Sequence, residues 1–183
     1  MSEESLDRSN AAPSAGEGEL FDALTGVANR QAFEAALARA VGEQPETGGA
    51  LCLLLADVDR FAAFNDTHGR RIGDHVLRLV AQELSQCVKA PEMLARYGEG
   101  QFAILLPETY ASAIVLAESM RAIMEAQVVE TEDGCSIERL TLSFGVAECR
   151  PEERGAAFVA RAADCLEQSK AQGRNRVTGE RDL

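Results

Sequence analysis

The chain has 183 residues, of which 46% are hydrophobic, so it reads as one domain large enough to bury a single substantial core. Its formal charge of −12 argues against non-specific binding to nucleic acid or an anionic membrane, which both need a basic surface, while leaving room for a small basic phosphate site. Five cysteines without paired spacing, and no visible leader, read as reduced thiols of a cytoplasmic protein; no apolar run is long enough to span a bilayer.

Residues 1–20 are rich in Ser, Ala, Gly and Glu around Pro13, a composition that cannot bury a core. They read as a mobile acidic tail, with the folded domain at 21–183. No apolar heptad precedes Phe21. Phe33, Leu37 and Val41 recur at helical spacing and predict an amphipathic helix from Arg30 to about Gly42. The apolar run Ala50 to Ala56 is what a central strand covered on both faces requires, and Asp57 ends it. Asp59 is placed to cap a short helix, Arg60 to Asp66. A longer helix, about Ile72 to Lys89, turns Val76, Leu77, Val80, Ala81 and Leu84 inward.

Met93 to Tyr97 and Gln101 to Leu106 predict a hairpin whose turn contains Glu99-Gly100, with Gly100 free to take a positive φ. A helix from Tyr110 to Ala126 follows, then a turn at Asp133-Gly134 inside a second hairpin. Leu140 to Ala147 is a strand, and a last helix, Gly155 to Gln172, stops at Gly173. Asn175 to Thr178 is placed as an edge strand. The expected fold is α/β, with a mixed central sheet flanked by helices.

Several segments then fall into a familiar order. Asp22-Ala-Leu-Thr-Gly-Val-Ala-Asn-Arg30 is followed by Asp57-Val-Asp-Arg-Phe-Ala-Ala-Phe-Asn-Asp66 and by Gly69 to Asp74. Arg96 to Phe102, Ser143-Phe-Gly-Val146, Ala162-Ala-Asp164 and Lys170-Ala-Gln-Gly-Arg-Asn-Arg-Val177 complete the series. Together they resemble the GGDEF family, the diguanylate cyclases, over most of the chain from Asp22 to Val177. The resemblance implies a sheet-and-helix arrangement like that of nucleotidyl cyclases and polymerase palm domains. It implies an ancestral reaction in which two GTP molecules, one on each subunit of a dimer, condense to cyclic di-GMP.

The family signature reads Gly-Gly-(Asp/Glu)-Glu-Phe, and here the five positions are Gly98, Glu99, Gly100, Gln101 and Phe102. Carried over position by position, Asp57 and the Val58 carbonyl are the metal ligands, and Phe61 opens the phosphate-receiving helix. Asn65 and Asp74 read guanine, a sensible task for an amide and a carboxylate. Lys170 and Arg174 bind phosphate, four residues apart on one side of a helix end. The departures are concentrated elsewhere. Glu99 replaces a glycine that lets the backbone approach the nucleotide. Gly100 supplies no second metal carboxylate, Gln101 cannot act as a base, and Ala62 stands where the family has lysine. An inhibitory site for cyclic di-GMP would fall on Lys89 and Glu92, where lysine lacks the guanidinium fork and tight binding is not expected.

The expectation is a degenerate domain without cyclase activity, serving as a regulatory or protein-interaction module in cyclic di-GMP signalling. It would keep a weak site for GTP or GDP and need no cofactor, with Mg²⁺ present only alongside nucleotide. Its protein partner is not named by the sequence, and a homodimer is compatible with it. The alternatives are an active cyclase with an altered turn and a cyclic di-GMP receptor acting through Lys89 and Glu92.

Overall fold

In the computed structural model, which describes residues 20–47, 49–90, 92–129 and 139–183, the architecture follows from one buried strand. This strand is β1 (Cys52–Val58), and only Asp57 along it is even partly exposed. Antiparallel neighbours β3 (Gln101–Leu106) and β4 (Leu142–Glu148) flank it on either side. β2 (Met93–Arg96) pairs with β3 to complete a hairpin, and β5 (Val177–Gly179) runs parallel to β4, giving the order β2-β3-β1-β4-β5. The sheet is therefore mixed, as the alternation of helices and hairpins predicts.

Side-chain alternation along the strands divides the interior into two layers. Leu54, Ala56, Phe102, Ile104 and Phe144 face one side. There they meet α3 (Arg70–Cys87) and α4 (Tyr110–Ala126), through Val76, Leu77, Val80, Ala113, Ala117 and Met120. Leu53, Leu55, Ala103, Leu105 and Ala147 face the other side. That layer is closed by α1 (Arg30–Thr47) and α5 (Gly155–Ala171), whose Phe33, Leu37, Phe158, Ala162 and Leu166 complete it.

α5 lies unusually close to β4. A Cβ built on Gly145 would stand 2.1 Å from the Ala162 carbonyl oxygen and 2.3 Å from the Leu166 nitrogen. Only a glycine at this strand position lets the helix backbone descend so far. Farther out, Arg161 binds the carboxylates of Glu153 and Glu180 and donates to the Glu148 carbonyl at 2.7 Å, tying α5 to the chain end beyond β5.

Several boundaries differ from the sequence reading. α1 continues to Thr47, and α3 starts at Arg70 and stops at Cys87. β1 ends at Val58, one residue past Asp57, which the sequence reading took as the strand's end. The expected tail up to residue 19 and the Asp133-Gly134 turn lie outside the described residues. Among those residues no helix is long and apolar enough to cross a membrane.

Candidate functional site

Asp57 and Gln101 are direct partners across the β1–β3 ladder. Because side chains alternate, both project on the α5 side, and Lys170, near the C-terminal end of α5, reaches the same point. The Gln101 Nε2 donates to Asp57 Oδ2 at 2.8 Å, and the Lys170 Nζ donates to the same oxygen at 3.0 Å. The amide must present its nitrogen here, since a carboxylate offers only acceptors. Lys170 also donates to Glu167 at 3.0 Å. Burial alone would lower the lysine's pKa, but its bonds to Glu167 and Asp57 outweigh this and hold the ammonium above its usual range.

Asp57, Gln101 and Lys170 line a cavity of about 470 Å³ together with Val58, Phe61, Ala62 and Arg174. Phe61 opens α2 (Phe61–His68) after Arg60, which takes the left-handed conformation at φ 57°. Arg60 also lines the cavity. Ala62 is exposed there and brings no charge to the position where the family has lysine.

Asp59 does not cap α2, contrary to the reading from sequence. Its carboxylate instead accepts from Thr141 Oγ1 at 2.7 Å, Ser143 Oγ at 2.6 Å and the Asn175 backbone N–H at 3.0 Å. Three donors in a nearly buried position offset the desolvation of this charge. The result is that β4 and the loop after α5 are pinned to the end of β1. Arg174 sits in that loop at φ 65°, beyond the end of α5. Lys170 and Arg174 do reach one cavity, but a left-handed turn brings them there rather than helical periodicity.

Gly100 also corrects its expected role, since its φ lies outside the left-handed region. Its alternation places it toward Phe61, and a Cβ added to it would lie 3.0 Å from the Phe61 ring. The Gly100 carbonyl accepts from the Val58 N–H at 3.0 Å. The turn itself is braced by Arg96, which donates to the Gly98 carbonyl at 3.3 Å and the Glu99 carbonyl at 3.1 Å. Asp22 grips the same guanidinium at 3.2 Å through both oxygens. Burial pushes the Asp22 carboxyl up, but hydrogen bonds from Thr25 and Arg96 prevail and hold it below its usual value.

A second cavity of about 160 Å³ adjoins the first, sharing Phe61 and Glu99 with it. Asn65, Arg70, Asp74 and Arg96 line this smaller space. Gly69, at φ 82°, ends α2 and begins α3, and this bend brings Asn65 toward Asp74. Asn65 Oδ1 is buried without a hydrogen-bond partner among the described residues. Gly73 makes room for it, because a Cβ there would lie 1.8 Å from that oxygen. The unpartnered atom is this one oxygen, packed against Gly73 beside the cleft that Asn65 and Asp74 line. Arg70 and Arg96 were not among the site residues chosen from sequence. Arg96 could have been suspected from its place two residues before the signature glycine.

The donor set does not suit a divalent cation. Magnesium takes oxygen ligands and usually one or two carboxylates. Here Asp57 Oδ2 is held by two N–H donors, and its cross-strand partner Gln101 adds no second carboxylate. Lys89 and Glu92 stand apart from both cavities. Glu92 turns back on its own loop, accepting from the Lys89 backbone N–H at 2.7 Å.

Residues 19–176 match the family model described as diguanylate cyclase, GGDEF domain. Diguanylate cyclase VdcA of Vibrio cholerae is 33% identical over 160 residues, covering 86% of this chain and 46% of that protein. The chain thus spans about half the length of this curated relative. The GGDEF domain of DgcB from Caulobacter crescentus, solved in complex with c-di-GMP, superposes with a TM-score of 0.86 at 36% identity, over 88% of this chain and 96% of the other. Diguanylate cyclase SiaD of Pseudomonas aeruginosa, solved with its activator SiaC, gives 0.83 at 29% identity, over 88% and 63%.

Proposed function

The chain belongs to the GGDEF family, and within it we propose that this domain, residues 21–183, is a catalytically silent module that recognises guanine nucleotide. The observation that carries this reading is the occupation of Asp57 Oδ2 by Gln101 and Lys170. Phosphoryl transfer depends on metal ions to neutralise developing charge and on a group that orients or deprotonates the nucleophile. Gln101 offers an amide where the family has glutamate, Gly100 offers no side chain, and Ala62 offers no cation. The centre is a closed hydrogen-bonded cluster where a metal-binding pair would be required.

The recognition parts are disposed differently. Asn65 and Asp74 line one cleft, while Phe61, Lys170 and Arg174 line the adjoining cavity. GTP or GDP would place its base against the first pair and its phosphates toward the second group. With the metal centre closed, binding is weak and insensitive to Mg²⁺. Such a domain acts by changing a protein partner in cyclic di-GMP signalling, as SiaD's complex with an activator protein makes reasonable for the family. The tie between Glu92 and the Lys89 backbone leaves the receptor reading with less support.

Calorimetric titration with GTP and GDP, with and without Mg²⁺, tests the recognition half of this proposal. Binding in the micromolar to millimolar range is expected, roughly −8 to −4 kcal/mol, with the affinity changing less than about threefold on adding Mg²⁺. Absence of binding by either nucleotide would sink it.

A further inference from the structure

Charge limits what the larger cavity can accept. Three cations line the larger one: Arg60, Lys170 and Arg174. Lys170 is already committed to Asp57 and Glu167. Arg60 and Arg174 make no ion pair among the described residues, so their two guanidiniums are what remains for a ligand. Against them stands Glu99, exposed, on the seam between the cavities. Asp59 brings a further buried negative charge into the lining. Summed over the lining side chains, three cations face the three carboxylates Asp57, Asp59 and Glu99, and this cavity is electrically neutral; in the smaller one Arg70 and Arg96 face Asp74 and the shared Glu99.

At neutral pH a monophosphate carries about two negative charges and a triphosphate about four. Two free guanidiniums can complement the first but not the second. A triphosphate would need added cations, and the donor set at Asp57 does not favour them. A ligand whose base fills the smaller cleft must cross the seam, and so passes Glu99 before its phosphates reach the arginines. The cost of Glu99 therefore grows with every phosphate added.

Resting on the reading that the smaller cleft takes guanine, we propose that this site selects guanine ligands of low charge, guanosine and GMP, over GDP and GTP, with Glu99 as the discriminating residue. The occupant class is a guanine nucleoside bearing at most one phosphate. Asn65 and Asp74 supply the base recognition, Arg60 and Arg174 receive the single phosphate, and Glu99 rejects longer phosphate chains. The substitution of glycine by glutamate in the signature is then a change of ligand specificity as well as a departure from the catalytic pattern.

The test is calorimetry on the full chain with guanosine, GMP, GDP and GTP in metal-free buffer, repeated for Glu99→Gln. This side chain is exposed, so the variant keeps the fold. GMP is expected to bind about tenfold or more tightly than GTP, and E99Q to narrow the gap to about threefold by strengthening GTP while leaving guanosine within about twofold. GTP binding as tightly as GMP in the natural chain would overturn the selection while leaving guanine recognition intact. A ranking unchanged in E99Q would overturn the role of Glu99. If none of the four ligands bound, both this inference and the reading it rests on would fall.

Discussion

Gly145→Ala is expected to lower stability by about 3 kcal/mol or more, the upper end of what a single overpacked methyl costs. The new Cβ would meet backbone atoms of α5, the Ala162 carbonyl at 2.1 Å and the Leu166 nitrogen at 2.3 Å. Backbone cannot rotate aside as a side chain can, so the whole helix must rise from the sheet. For a domain of this size that loss corresponds to a fall of about 6–12 °C in melting temperature. The consequence for the site is specific, because α5 carries Lys170. Lifting the helix draws the ammonium away from Asp57 and opens the cluster. Denaturant unfolding checks the first effect, and a loss under about 1 kcal/mol would show that α5 does not lie this close to β4.

Gln101→Glu is expected to have the second large effect, by turning the closed cluster into a cation site. The residues are paired across the ladder, so the new carboxylate would face Asp57 across a gap that Gln101 now bridges with a 2.8 Å hydrogen bond. Two carboxylates at that separation repel each other, with the single ammonium of Lys170 to offset them. A divalent cation between the two carboxylates relieves the repulsion. At about 100 times its Kd it adds about 2.7 kcal/mol, or about 5–10 °C. Thermal unfolding with and without Mn²⁺ measures this, with the natural chain shifting little. Equal shifts in both proteins would mean that Asp57 already binds metal. Turnover is not expected to return with this change alone, since Gly100 and Ala62 remain.

The central strand and the two-layer core were legible because burial writes itself directly into composition and period. Ala50 to Ala56 could hardly be anything but a covered strand, and the α3 stripe Val76, Leu77, Val80, Ala81 and Leu84 is buried as its spacing implied. The site was legible mainly as a set of positions whose family order was familiar. What could not be read was how they engage one another. Gln101 and Asp57 are 44 residues apart in sequence, and Lys170 lies 113 residues from Asp57. Nothing local announces that these three meet on one oxygen.

Asp59 shows the same limit from another direction. An aspartate just before a helix is a reasonable cap, and local preference alone points there. Its true donors come from β4 and from the loop at Asn175, which only the assembled sheet brings near. Gly100 was misread because glycine in a turn suggests a positive φ, whereas what matters here is its close approach to Phe61. In each case a tertiary contact overrode a sound local inference. The altered signature is therefore best understood through its neighbours: Gln101 bonds Asp57, and Glu99 stands where the two cavities meet.

The most direct measurement is incubation of the purified protein with GTP and either Mg²⁺ or Mn²⁺, with the products separated by chromatography. A silent centre leaves GTP unconsumed and forms no cyclic di-GMP. Sustained cyclic di-GMP formation that Asp57→Ala abolishes would contradict the account, and would show that the Gln101–Asp57–Lys170 cluster opens to bind metal and catalyse.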